Sequence, residues 1–95
     1  MVDFGNTLKR LRTEHGYTQQ QIADRLGVTK SVVSYYELQE RYPSPDILIK
    51  LASIFHVSTD YLLGLQREET ISLDGLSKED IVVIQKLIEL LKKKK

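Results

Sequence analysis

The sequence predicts an all-α fold, with five short helices over residues 1–64 and one further helix near the C-terminus. Three observations predict it. Apolar residues recur at spacings of three and four, Ser or Thr repeatedly stands just ahead of such a stripe, and no convincing segment alternates with the period of two of a half-buried strand.

Phe4, Leu8 and Leu11 fall at i, i+4 and i+7, one stripe of a first helix expected to run to about His15 and to stop at Gly16. Thr18 with Gln21 three residues on is a capping box opening a second helix, whose inner face is Ile22, Ala23 and Leu26 and whose end is Gly27, where a positive φ is cheap. Thr29 is the N-cap expected for a third helix from about Lys30 to Glu37. Ser44 followed by Pro45 marks a fourth, since proline at the first helical position gives up an amide that has no helical partner. Its buried face is expected to be Ile47, Leu48, Leu51, Ala52 and Phe55, and Ser58 then caps a last short turn through Tyr61, Leu62 and Leu63. Residues 65–76, with QREETISLDGL at their centre, lose the stripe and are expected to be a linker. Ser77 and Asp80 form another capping box, starting a helix over 77–95 through Ile81, Ile84, Leu87, Ile88 and Leu91.

Composition bounds the function. The chain of 95 residues, 41% of them hydrophobic, can bury one modest core. It has no cysteine, which removes disulfides and thiolate metal sites. The N-terminal MVDFGNTLKR has no signal-peptide core, and the longest aliphatic run is Ile81–Ile84, so a cytoplasmic protein without a membrane segment is expected. Net charge is +1, and within residues 1–66 the bases Lys9, Arg10, Arg12, Arg25, Lys30, Arg41 and Lys50 are balanced by Asp3, Glu14, Asp24, Glu37, Glu40, Asp46 and Asp60. Binding to a polyanion would therefore require a local arrangement of basic groups, not bulk charge.

That arrangement is sought between Gln19 and Leu38. Ile22, the small Ala23, Leu26, Gly27, Val28, Val33 and Tyr36 are spaced as two helices crossing over a tight corner require, which is the helix-turn-helix pattern. With Lys30 at zero and about 100° per residue, Val33, Tyr36 and Glu37 fall near 240–340° and Ser34, Ser31 and Tyr35 near 40–140°. The outward side is short, hydrogen-bonding and free of acids. A helix entering the DNA major groove needs those properties: close approach, donors and acceptors for base edges, and no carboxylate beside phosphates. Lys30 at the helix start is within reach of a phosphate or a guanine edge, and Thr29 beside it is counted with the DNA-facing residues. The alternative is a solvated face that lacks acids by chance.

Residues 8 to 64, through LKRLRTEHGYTQQQIADRLGVTKSVVSYYE and PSPDILIKLASIFHVSTDYLLG, resemble the phage-repressor (Cro/XRE) helix-turn-helix transcription regulators. The resemblance implies a five-helix repressor-like DNA-binding domain whose third helix reads the major groove. It further implies a phosphate contact from Gln19, backbone contacts from the loop Gln39–Tyr42 with Arg41 as its positive member and Tyr42 beside it, and a structural ion pair between Arg12 and Glu37. The chain departs from the family in one place: Gln39 stands where glycine is usual. Either Gln39 takes a left-handed backbone at some cost, or the loop runs differently.

The C-terminal helix carries a coiled-coil seam at Ile81, Ile84, Ile88 and Leu91 beside a second stripe of Val83, Leu87 and Leu90. It can pack on its own domain or against a second copy, and homodimerisation is expected. No catalytic residues, cofactor or metal site are expected, because His15 and His56 are isolated and no nucleophile–base pair or phosphate loop appears. No small-molecule ligand domain is expected in a tail of about thirty residues. The reading is a dimeric double-stranded-DNA-binding regulator, most simply a repressor on a near-palindromic operator; the rival is a protein-interaction module such as an antitoxin or anti-repressor.

Overall fold

The computed structural model describes residues 3–65 and 73–93. Among them the chain forms six helices: α1 (Phe4–Glu14), α2 (Gln19–Leu26), α3 (Lys30–Glu37), α4 (Pro45–Phe55), α5 (Thr59–Leu62) and α6 (Lys78–Lys93). Residues 66–72, most of the expected linker, and residues 94 and 95 lie outside the described part.

Side chains fix most helix starts. The hydroxyls of Thr18, Thr29, Ser44 and Ser58 each accept a hydrogen bond from the backbone amide three residues on, satisfying one orphan donor per helix. At α2 the box is reciprocal, since Gln21 Oε1 accepts from the Thr18 amide at 2.8 Å. At α6, Ser77 and Asp80 exchange the same pair of bonds at 3.1 and 3.3 Å. At α1, by contrast, Asp3 sits in the left-handed region with φ 57° and its side chain caps nothing.

The core joins α1 to α5. Phe4, Leu8 and Leu11 of α1 meet Ile22, Ala23 and Leu26 of α2, Val33 and Tyr36 of α3, Leu51 and Phe55 of α4, and Leu62 of α5, all buried. Each large side chain so buried contributes about 1.5–3 kcal/mol relative to exposure. Val28, in the corner after Gly27, is half-buried against the same cluster. Gly27 itself has φ 73°, a turn that a residue with Cβ would take only under strain. The helix-turn-helix pair α2–α3 thus rests on α1, with α4 and α5 closing the far side.

Gly5 sets how closely α1 and α3 approach. A Cβ at Gly5 would stand 2.2 Å from the Glu37 carbonyl oxygen, so the α1 backbone lies directly against the end of α3. No such closure reaches α6, none of whose described residues is buried. Ile81 and Ile84 are half-buried, and the other apolar residues of α6 are exposed. No helix among the described residues is long and apolar enough to cross a membrane.

Candidate nucleic-acid interface

Lys30 and Ser31 are exposed on the first turn of α3, Tyr35 is 41% exposed one turn on, and Ser34 is half-buried beside them. On the opposite side Val33 and Tyr36 are buried, so packing fixes which face points outward. Thr29 is exposed, and its oxygen is engaged as acceptor for the Val32 amide at 3.3 Å, which leaves its O–H as the group it can offer a ligand.

Glu37 is the one acid of α3, and its carboxylate is withdrawn from that outward face. Arg12 grips it in a two-point fork, Nε donating to Oε2 at 2.6 Å and Nη2 to Oε1 at 3.2 Å. Gln19 Nε2 donates to the same Oε1 at 3.1 Å, and Arg12 Nη1 donates to the Tyr17 carbonyl at 2.9 Å. The side chains of Arg12 and Glu37 are only 12% and 5% exposed, so the pair works in a dry setting where breaking it is costly. Three elements are tied by this one carboxylate: α1, the start of α2 and the end of α3. Gln19 therefore spends one amide hydrogen internally and keeps the rest of its amide for a ligand. It lines, with Asn6, Lys9 and Ser34, a polar recess of about 270 Å³ between these helices.

The chain leaves α3 through a Schellman turn. The Gln39 amide donates to the Tyr36 carbonyl at 3.1 Å and the Glu40 amide to the Tyr35 carbonyl at 2.9 Å, around Gln39 at φ 58°. Of the two alternatives for this position, the left-handed backbone is the one adopted. Its side chain offers a compensation that glycine cannot: Gln39 Oε1 accepts from the Gly5 amide at 3.0 Å, one of the first-turn donors of α1 that Asp3 leaves uncapped. The turn also brings Arg41 back onto α3, its guanidinium 5.9 Å from the centre of the Tyr35 ring. A fixed positive charge thus stands beside the outward face, with Tyr42 exposed next to it.

Sequence reasoning missed the close contact at Gly5, the Gln39 cap and the Arg41–Tyr35 stack. Nor does the sequence show that the Tyr61 hydroxyl bonds Arg10, which also pairs with Glu14 at 3.2 Å. That network occupies Arg10 at the junction of α1 and α5. Among the described residues no group of three or more His, Asp or Glu could hold a metal ion.

A helix-turn-helix family model matches residues 8–62. The chain belongs to the Cro/XRE-type helix-turn-helix family. Its likeness to the HTH-type transcriptional regulator ImmR of Bacillus subtilis is 43% identity over 63 residues, 66% of this chain and 50% of that one. The chain spans about half the length of the curated relatives it matches. A transcriptional regulator from Listeria innocua superposes with a TM-score of 0.64 at 34% identity, covering 95% of this chain and 92% of that one. The biofilm master regulator SinR, solved in complex with DNA, gives 0.58 at 34% identity, covering 63% of this chain and 97% of that one. Gln39, after α3, is a left-handed position whose side chain braces α1.

Proposed function

We propose that the chain is a sequence-specific double-stranded-DNA-binding transcriptional regulator that occupies a near-palindromic operator as a homodimer, most simply to repress. The observation that carries the reading is the outward face of α3. Lys30, Ser31, Ser34 and Tyr35 share it, while Glu37 is turned away into its fork with Arg12. Such a face suits base edges in the major groove. Thr29, Gln19, Arg41 and Tyr42 surround it and supply hydrogen bonds and charge for the phosphates on either side. The family's regulators and the DNA-bound SinR support the same reading.

Dimerisation through Ile81, Ile84, Leu87, Ile88 and Leu91 of α6 belongs to this proposal, as does the division into a binding domain (1–64), linker (65–76) and C-terminal dimerisation helix (77–95). Two copies present two α3 helices to half-sites about 34 Å apart. No catalytic step, cofactor or membrane is needed for this activity, and a cytoplasmic location suits it.

Selection of bound duplexes from a random library by the full chain, followed by affinity against salt, tests the reading. Lys30 and Arg41 from two protomers give about four phosphate-facing cations, so log K should fall with a slope of about −4 against log salt. Enrichment of no motif together with salt-independent binding would favour the protein-interaction module instead.

A further inference from the structure

The apolar stripe of α6 is only partly covered within its own chain: Ile81 and Ile84 are half-buried and the rest of the stripe is exposed. Val83, Leu87, Ile88, Leu90 and Leu91 are 45–62% exposed, a band too broad and continuous to stay in water. We infer that α6 pairs with α6 of a second copy and that the two helices run antiparallel. This rests on the dimeric reading above and adds its orientation.

The seam itself reads the same in both directions. Ile81, Ile84, Ile88 and Leu91 are spaced three, four, three. In an antiparallel register centred on position 86, Ile81 therefore faces the other copy's Leu91 and Ile84 faces its Ile88, giving four matched aliphatic layers. Charge selects this orientation over the parallel one. Glu79 and Asp80 stand in the first turn of α6, and Lys92 and Lys93 in the last, with Lys94 and Lys95 following in sequence.

In the antiparallel register positions 79 and 80 lie level with 93 and 92 of the other helix, so the end of α6 that carries Glu79 and Asp80 beside Lys78 runs alongside the lysine-rich end of its copy, an attraction between helix ends and not a set of contacting pairs. A parallel pair would set four lysines beside four lysines and acids beside acids. The helix dipoles favour the same choice, since each positive N-terminus then lies beside a negative C-terminus. Lys86, at the centre, falls on the side away from the seam and does not meet its copy. The two α6 N-termini are then held roughly 24 Å apart, not side by side, which directs the binding domains toward separate half-sites.

The chain has no cysteine, so introduced thiols report alone. Ile81→Cys and Leu91→Cys, one of them size-tagged, are co-expressed in the full chain and treated with a short bismaleimide, each variant also being treated by itself. Neither substitution touches the buried core, so folding is preserved. The expected result is a cross-linked heterodimer at least tenfold above the homotypic product of either variant, because like positions lie roughly 15 Å apart along the axis. Homotypic cross-links within each variant would overturn the antiparallel orientation while leaving the dimer intact. Sedimentation of the unmodified chain separates the deeper failure: a monomer would overturn the dimeric reading itself, and a dimer with no α6 cross-link would move the interface elsewhere.

Discussion

Gln39 concentrates the account of the loop after α3, and replacing it separates two opposing effects. Holding a residue with a Cβ at φ 58° costs roughly 1–2 kcal/mol. Its side-chain bond to the Gly5 amide returns roughly 1 kcal/mol. Gln39→Ala keeps the strain and loses the bond, orphaning a partly buried donor, so it should destabilise by about 1–2 kcal/mol. For a domain of this size that is a fall in Tm of roughly 5–10 °C. Gln39→Gly relieves the strain but loses the bond and also gains about 0.4–1 kcal/mol of unfolded-state entropy, so it should land within about 1 kcal/mol of the parent. Thermal and urea unfolding followed by circular dichroism reads all three. An alanine variant as stable as the parent, or a glycine variant more stable by about 2 kcal/mol, would refute the idea that Gln39 caps α1.

Three further outcomes follow from the packing. Gly5→Ala should cost about 3 kcal/mol, measured by urea midpoint, because its Cβ would strike the Glu37 carbonyl, a backbone atom with no room to move. Arg12→Met leaves Glu37 buried beside Gln19 alone and should cost about 3 kcal/mol, whereas Arg12→Met combined with Glu37→Leu should recover most of that loss; equal losses in both variants would dismiss the fork as an organising contact. Arg41→Gln should lower stability by no more than about 0.5–1 kcal/mol, the worth of its exposed contact with the Tyr35 ring, and reduce the salt slope of operator binding by about 2, one cation from each protomer.

How much of this was legible in the sequence depends on the range of each interaction. Thr18, Thr29, Ser44, Ser58 and Ser77 announce helix starts because a cap is decided within three residues. The corner at Gly27 and the inward stripe of Val33 and Tyr36 are equally local. The end of α1 is less so, falling at Glu14 with His15 as its cap where the stripe had suggested about His15. Contacts across the fold leave no local signature. The Gly5–Gln39 bond joins residues 34 apart and the Arg10–Tyr61 bond residues 51 apart, and neither glycine nor glutamine names its partner. The Arg12–Glu37 pair was suggested by the family resemblance; its third member, Gln19, emerges only from the coordinates.

The most direct measurement is the ratio of affinities for the selected operator and a scrambled duplex, taken at one salt concentration for the parent chain and for Ser31→Ala with Tyr35→Ala. If α3 reads bases, the parent should discriminate and the double variant should lose at least tenfold of that ratio, about 1–3 kcal/mol for each contact removed, while its unfolding midpoint stays put. An undiminished ratio in a folded variant would contradict the assignment of this face to base recognition.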